Sequence, residues 1–324
     1  MPNDRARQQL PPGPQLTRER ARQLVLWSAA AAATALAVIL WKPSAFVFGV
    51  QRAGLYAAVA IPMALILGIV HIVNLAHGEL MMVAAYLAYF AARLLGLDPF
   101  VALVPVAVVM AIFGLAVYHV TIRHALKAPE LNQLILTFGL AIALSQTVNL
   151  LFTSQSWKLS LDYVTASATV GDISFGIFDF VYAGIAVSLA VGLRLFLTRT
   201  RMGKAAIAVG QNPRGAAIVG IDVGGTYAFV FALAVGLIGA VGSVFLARQA
   251  IFPFVGGPYT MKSFCLVAMA GVGNITGILY CSLALGLSES IINGIKGYAG
   301  WSNVVFFAII IVTILVRSIR ERKS

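Results

Sequence analysis

Of the 324 residues, 60% are hydrophobic and only 10% are charged, and the mean hydropathy is +0.92. This composition excludes an ordinary soluble domain. The net charge of +12 would suit nucleic acid, but the basic residues lie in short segments between apolar runs, which is the positive-inside pattern of membrane proteins. We therefore predict an all-α, polytopic membrane protein that lies in the lipid bilayer and has no nucleic-acid partner.

The chain begins with a basic, proline-containing leader, residues 1–23, which is predicted to be disordered and cytoplasmic. The apolar run Leu24–Trp41 is longer than the core of a signal peptide and lacks a small-residue cleavage site. It is therefore predicted to be a retained first helix. Further helices are predicted at about 50–70, 80–96, 99–119, 133–152, 181–198 and 226–247, each near the length that crosses a core of about 30 Å.

Two connections are prominent between these helices. Thr121–Asn132 is predicted as a basic cytoplasmic loop, and Thr153 to about Phe180 as the longest non-cytoplasmic segment. Because successive helices cross the bilayer in alternate directions, helix 226–247 is predicted to run from the cytoplasmic side to the outer side. Two apolar stretches follow it.

The last two apolar stretches are Ser263–Leu287 and Asn303–Val316, followed by a basic tail at 318–324. If both crossed, the basic tail would lie outside, against the positive-inside pattern. One stretch is therefore predicted to be re-entrant, and the glycines within Ser263–Leu287 favour that one. The prediction is a single permease domain over 24–317 with about eight transmembrane helices, a broken or re-entrant element, and both termini in the cytoplasm.

The most informative polar cluster interrupts the apolar stretch Ala53–Ala92, in which Glu79 is the one residue with a formal charge. A continuous helix of that length would be about twice the bilayer core, so the chain must turn or break at the cluster. Ionisable groups at membrane depth normally face a cavity, and a broken helix frees backbone groups to line a path. The predicted path residues here are His71, Asn74, His77, Gly78 and Glu79.

A structural alternative for this cluster has equal weight. Asn74, His77 and Glu79 would then only cap two helices at the cytoplasmic boundary, with Gly78 permitting the turn. A metal site is not expected, because His71 and His77 are six residues apart and do not share the face that a spacing of four gives.

The basic segment 199–223 has two short amphipathic pieces on either side of Gln211–Gly215. An ordinary inside loop would explain its charge, but its length and pattern favour a folded docking element that enters a groove on a soluble partner. The residues predicted to carry the docking are Gln211, Asn212, Arg214, Ala216, Ala217, Gly220 and Ile221.

The third signal is a glycine-rich turn, whose predicted path residues are Gly271, Gly273, Asn274 and Gly277. Close helix packing would explain each glycine singly, whereas their clustering around Asn274 favours a broken element. No Walker motif is present, since Gly203-Lys204 lacks the preceding loop. With no catalytic triad either, we predict a transport subunit without enzymatic activity or a cofactor.

At these residues the sequence resembles a known family. Asn74-Leu-Ala-His-Gly-Glu79 is similar to the Asn-Phe-Ala-His-Gly-Glu signature of the LivH-type permeases of branched-chain amino acid ABC importers. Residues 203–222 resemble their cytoplasmic coupling loop, and Gly271–Gly277 their glycine-rich turn. The chain departs from the family at Gln211 and Asn212, where an acidic residue is usual, at Arg214, and at Thr276, where proline is usual.

The resemblance implies a permease subunit of the bacterial inner membrane that imports branched-chain amino acids or a similar small polar solute. It also implies a second, LivM-like permease subunit, two cytoplasmic ATPase subunits and a periplasmic solute-binding protein. Alternatives remain at this point: a urea or amide permease of the same family, a proton-coupled secondary transporter that uses His71, His77 and Glu79 as a relay, or a channel gated at the glycine-rich turn.

Overall fold

A computed structural model describes residues 43–170, 173–295 and 297–321. The predicted leader (1–23), the predicted first helix (24–41) and the last three residues of the tail therefore lie outside the described residues. The described helices are α1 (Pro43–Ile69), α2 (His77–Leu95), α3 (Pro99–Val117), α4 (Glu130–Phe152), α5 (Val181–Arg199), α6 (Arg201–Gln211), α7 (Pro213–Ile218), α8 (Val223–Arg248), α9 (Gly256–Ala270), α10 (Ile275–Asn293) and α11 (Ser302–Glu321).

Seven of the described helices are long and apolar enough to cross a membrane. They are α1, α2, α3 with its extension to Ala125, α4, α5 with the turn that precedes it, α8 and α10, and α11 contains the shorter apolar helix Ser302–Thr313. The predicted all-α, polytopic fold is confirmed. Helices α1 and α8 are the most buried, whereas α3, α4 and α5 present exposed apolar faces that suit lipid or another subunit.

The segments between the helices differ from the predictions in two places. The predicted loop Thr121–Asn132 is largely helical, because a π-helical turn at Tyr118–Ile122 and a short helix at Arg123–Ala125 extend α3. The segment after α4 contains a two-stranded antiparallel hairpin, β1 (Ser167–Val170) with β2 (Ile173–Gly176), which sequence patterns did not predict. The hairpin lies between the 3₁₀ turns Asp162–Val164 and Phe178–Phe180.

The predicted break between the second and third predicted helices is confirmed, and it places the start of α2 deep in the bundle. His77 Nε2 lies 2.8 Å from the carbonyl oxygen of Val59. Val59 stands ten residues before the end of α1 at Ile69, which is about 15 Å along the helix. Since the bilayer core is about 30 Å thick, α2 begins near its middle.

Another helix, α9, also begins at this depth. It has 15 residues, or about 22 Å of helix, which is too short to cross. The turn after α9 lies beside the end of α1, since a Cβ on Gly68 would be 3.2 Å from the Cα of Gly273. At the other end of α9, Gly256 contacts Gly78 in the first turn of α2.

The apolar stretch Ser263–Leu287 therefore consists of parts of two helices. Its expected interruption is present as the four-residue turn between Ala270 and Ile275, where Gly271 and Gly273 have φ values of +88° and +77° that favour glycine. The stretch is broken but not re-entrant, so that part of the prediction is wrong. Helix α8 ends beside the first half of α1, whereas the turn after α9 lies beside the end of α1, so the chain from α8 through α9 leads from one end of the bundle to the other. Helix α10 is itself long enough to cross.

Candidate functional site at the meeting of two helix N-termini

The N-termini of α2 and α9 meet inside the bundle. The backbone N–H of Gly78 donates a hydrogen bond of 2.7 Å to Oγ1 of Thr260. Neither Gly78 nor Gly256 has room for a side chain, because a Cβ on either would collide with the backbone of the other. This glycine pair brings two helix N-termini, which carry unsatisfied N–H groups and partial positive charge, to one place.

The Glu79 side chain occupies this meeting point. It is only 6% exposed, and its carboxylate lies against Gly256, in the space that a Cβ there would take. The Ser145 side chain of α4 lies close enough to interact with it. Negative charge is favourable at a helix N-terminus, so the first turn of α9 stabilises the carboxylate. Its Oε2 atom nevertheless has no hydrogen-bond partner among the described residues.

Three other buried polar atoms close to this start of α2, or along it, also lack a partner within the described part of the chain: Asn74 Nδ2, His77 Nδ1 and the Tyr86 hydroxyl. The Nε2 of His77 donates to a carbonyl oxygen, so Nδ1 is left as an acceptor. Tyr86 lies seven residues after Glu79 and hence on the same face of α2. Buried polar atoms without protein partners usually bind water or a ligand.

Helix α4 forms the polar wall beside this site. Its Thr137 hydroxyl donates to the carbonyl oxygen of Val73, in the non-helical segment before α2, at 3.1 Å. Its packing contacts are chiefly with α2. The opposite face exposes Gly139, Gln146 and Thr147, and nothing among the described residues lies within 4 Å of a Cβ on Gly139. Exposed polar groups within a membrane helix indicate an aqueous path or a neighbouring subunit there.

The other predicted path residues lie away from Glu79. His71 is exposed, with φ of 58°, just after the end of α1. Gly271, Gly273, Asn274 and Gly277 lie at the far end of α9, where Asn274 Oδ1 caps α10 by accepting from the Gly277 N–H at 2.9 Å. The structure thus brings together Asn74, His77, Gly78 and Glu79 but not the glycine-rich turn. No cluster of three or more His, Cys, Asp or Glu side chains suited to a metal is found in the described ranges.

Helices α6 and α7 form the predicted pair of short helices in segment 199–223. Each has a side-chain cap: Thr200 accepts from the Gly203 N–H, and Asn212 accepts from the Gly215 N–H, both at 2.9 Å. Such caps satisfy amide groups that the helix leaves unpaired, so short helices become stable here. Helix α6 also packs on the end of α1, where a Cβ on Gly210 would lie 3.1 Å from the Gly68 carbonyl oxygen.

The residues predicted to carry docking divide into two groups. Ala216 is buried at 4% exposure and Ile221 is half-buried, so Ala216 packs within the chain and offers little surface. The exposed members are Gln211, Asn212, Arg214, Ala217 and Gly220. The largest exposed apolar surface belongs instead to Ile218 (86%) and Val219 (74%). In the sequence, Ile218 and Val219 are adjacent large apolar residues at the end of the second amphipathic stretch, and this pattern could have identified them as docking residues.

A charged cluster that the sequence patterns did not single out joins α1, α9 and α10. Glu289 accepts from Tyr56 at 2.6 Å and from Arg52 at 3.0 Å, and the Lys262 ammonium lies 3.2 Å from its Oε2. Lys262 also lies 4.5 Å from the centroid of the Tyr56 ring. The sequence feature that could have predicted this cluster is the presence of single charged residues inside apolar stretches. Such residues are energetically costly in a membrane and are normally paired with one another.

Comparison with known proteins agrees with the membrane architecture. The chain matches, over residues 45–314, the family described as branched-chain amino acid transport system permease component. It is 28% identical over 283 residues to the high-affinity branched-chain amino acid transport system permease protein BraD of Pseudomonas aeruginosa, covering 83% of this chain and 92% of that protein. The permease protein LivH of Escherichia coli is 28% identical over 289 residues, covering 83% and 91%.

A relative from a third organism is also a branched-chain amino acid transport permease. The probable branched-chain amino acid transport permease protein LivH of Methanocaldococcus jannaschii is 28% identical over 254 residues, covering 75% of this chain and 80% of that protein. No solved structure matches the chain significantly. Permease components are transport subunits and not enzymes in themselves. The chain belongs to the family of permease components of branched-chain amino acid transport systems, as its sequence predicted.

Proposed function

We propose that this chain forms part of the translocation path of an ABC importer for branched-chain amino acids, and that the path passes Glu79. The observation that carries the proposal is that α2 and α9 both begin inside the bundle and meet around a buried carboxylate with unpaired polar neighbours. Discontinuous membrane helices whose N-termini point at one place are typical of solute sites in transporters. The location near mid-depth fits a solute path better than capping at the membrane boundary.

The chemistry of the site suits a zwitterion with a small apolar group. The unpaired Oε2 of Glu79 is an acceptor for an ammonium group, and the amide Nδ2 of Asn74 is a donor for a carboxylate. Helix N-termini add partial positive charge on the carboxylate side. The names of the related permeases, which all specify branched-chain amino acids, support this class of solute.

Energy would come from two separate cytoplasmic ATPase subunits, since the chain has no nucleotide-binding motif. Helices α6 and α7 supply the docking element, with Ile218 and Val219 as the apolar residues that enter a groove on the ATPase. A periplasmic solute-binding protein would deliver the solute, and a second, LivM-like permease would cover the exposed polar face of α4. The basic residues of α6 and α7 support a cytoplasmic location for this end of the bundle and for both termini.

A transport assay with matched variants tests the path. Purified complex in proteoliposomes should take up radiolabelled leucine when ATP is supplied, and vanadate should stop it. Glu79→Gln keeps the shape of the side chain but removes its charge, so uptake should fall by about tenfold or more. The control Glu130→Gln changes an exposed residue at the start of α4 and should leave uptake unchanged.

The outcomes separate the competing functions. Uptake by this chain alone, driven by a proton gradient and abolished by Glu79→Gln, would replace the ABC importer with a proton-coupled transporter. Uptake of urea or short amides, with leucine failing to compete, would retain the importer but overturn the amino-acid assignment. Unchanged leucine uptake in Glu79→Gln would remove Glu79 from the path.

A second experiment tests the docking element. Ile218→Asp places a charge on a residue that contacts little of its own chain, so the permease should fold normally but lose co-purifying ATPase and uptake together. The control Asn132→Asp adds the same charge at an exposed position at the start of α4 and should retain both. Gly220 is a poorer test position, because its φ of +84° makes any side chain there strained. Retained ATPase association in Ile218→Asp would contradict the docking assignment.

A further inference from the structure

A cleft of about 310 Å³ opens at the opposite end of the bundle from α6 and α7. It lies where the first half of α1, the start of α5 and the end of α8 come together. Its lining includes Phe48, Arg52, Leu55, Tyr182, Arg248 and Gln249. Since α5 leads from this cleft directly into α6 at its other end, cleft and docking element lie at opposite ends of the bundle.

The charges at the cleft do not balance. Arg248 pairs with Asp179, at 2.8 Å from Nε to Oδ1. Arg52 and Lys262 both pair with Glu289. These three cationic side chains and two carboxylates carry a net charge of +1, because Arg52 shares Glu289 with Lys262. Of the three cations, Arg52 and Arg248 line the cleft, which has room for a small molecule.

The unused hydrogen-bond donors point to the same kind of ligand. Of the Arg52 guanidinium, only Nη1 makes a hydrogen bond within the described part of the chain, and the side chain is 40% exposed. Arg248 uses Nε and Nη2 on Asp179 and is 36% exposed. The exposed Gln249 side chain makes no hydrogen bond to the described residues. A guanidinium with a free edge is well suited to bind a carboxylate with two parallel hydrogen bonds.

The rest of the lining is apolar. Phe48 is half-exposed at the rim, and Leu55 and Tyr182 are buried beneath it. The Tyr182 hydroxyl is directed to the carbonyl oxygen of Val244, so the ring offers its apolar part to the cleft. A ligand that satisfies both surfaces carries a negatively charged oxygen group on a short apolar body.

We propose that this cleft binds the carboxylate of a small apolar acid or amino acid, with Arg52 as the recognising side chain and Gln249 as its neighbour in the lining. The inference rests on the proposed function in one respect, because the ligand is taken to be the transported solute. The cleft would receive this solute at the outer end of the bundle before the solute reaches Glu79. A lipid phosphate is the other source of an anionic oxygen group, and the experiment distinguishes it.

The test uses the full chain in phosphatidylcholine nanodiscs and two probes of nearly equal shape, isovalerate and its neutral analogue isovaleramide. Binding is followed by saturation-transfer NMR. Isovalerate should bind and isovaleramide should not. Gln249→Glu places a carboxylate beside the two arginines and should weaken isovalerate binding about tenfold or more, whereas Gln249→Ala should change it by less than about threefold. Arg52→Gln, checked for an unchanged thermal midpoint, should behave like Gln249→Glu.

Several results would overturn this inference. Equal binding of isovaleramide, or unchanged binding in Gln249→Glu, would remove the carboxylate from the interaction. Loss of isovalerate binding when the nanodiscs contain phosphatidylglycerol would assign the cleft to a lipid phosphate. ATP-driven leucine uptake without isovalerate binding would sink the cleft proposal alone, whereas isovalerate binding without such uptake would sink the proposed function and leave a carboxylate site.

Discussion

The close approach of α2 and α9 predicts a sharp difference between two adjacent glycines. Gly256→Ala would place a methyl group where the Glu79 carboxylate and the backbone of Gly78 now lie. At Gly257 the same methyl group would lie 3.6 Å from Oε1 of Glu79, which is ordinary van der Waals contact. The two substitutions have the same chemistry and differ only in what the new atom meets.

The magnitude follows from the kind of atoms at each position. At Gly256 the neighbours are backbone and a buried carboxylate, so relief requires separating α2 from α9, and overpacking of this kind costs about 1–3 kcal/mol. The more restricted unfolded chain offsets about 0.4–1 kcal/mol of that cost. The net loss of about 1–2 kcal/mol is roughly a five- to thirtyfold fall in the ratio of folded to unfolded protein. Gly257→Ala should be neutral or slightly stabilising, because the alanine restricts the unfolded chain and meets no overpacked contact in the folded state.

Thermal unfolding of the purified permease in detergent measures the first effect, and leucine uptake in proteoliposomes the second. Gly256→Ala should have the lower midpoint and, since Glu79 must move, reduced uptake at temperatures where the protein remains folded. Gly257→Ala should match the unmodified chain in both. Equal midpoints for the two variants would refute the contact between the two helix N-termini.

Three further outcomes are expected. Glu289→Gln leaves Lys262 without its neutralising carboxylate in apolar surroundings and should cost about 3 kcal/mol or more, seen as a lower thermal midpoint that Lys262→Met in the same chain partly restores. Partial burial, together with the 2.6 Å hydrogen bond to Asp98, raises the pKa of the partly exposed Tyr163 above its ordinary 10.0. Its contribution to stability is therefore present below about pH 10 and lost at higher pH, and Tyr163→Phe should show a flatter decline in alkaline unfolding curves. A reporter fused after Ser324 should give a cytoplasmic signal, and a periplasmic signal would contradict the proposed orientation.

Local patterns in the sequence were enough to predict the class of fold and the places where the chain turns. Apolar runs of suitable length gave the crossing helices, because a bilayer requires a continuous stretch of apolar side chains. The polar residues from His71 to Glu79 and the glycines from Gly271 marked the two interruptions, because irregular backbone in a membrane needs special residues. Segment 199–223 was polar enough to stay outside and patterned enough to form two short helices.

Some assignments needed neighbours that a local pattern does not reveal. Nothing in the residues 216–219 distinguishes the buried Ala216 from the exposed Ile218 until α7 is placed against the bundle. Asn274 was predicted to be a path residue, and only its hydrogen bond to Gly277 in the folded chain shows that it caps α10. The leader and the first apolar run stay predictions.

The sequence by itself therefore determined that this protein crosses a membrane, where its helices break and which family it belongs to, since hydropathy, glycine conformation and motif spacing act over short stretches of chain. Only the tertiary structure decided what the breaks bring together. Gly78 and Thr260 are 182 residues apart in the chain, and Arg52 and Glu289 are 237 apart. These pairs meet because small residues permit close packing and because buried charges require partners, and both conditions depend on the arrangement of whole helices.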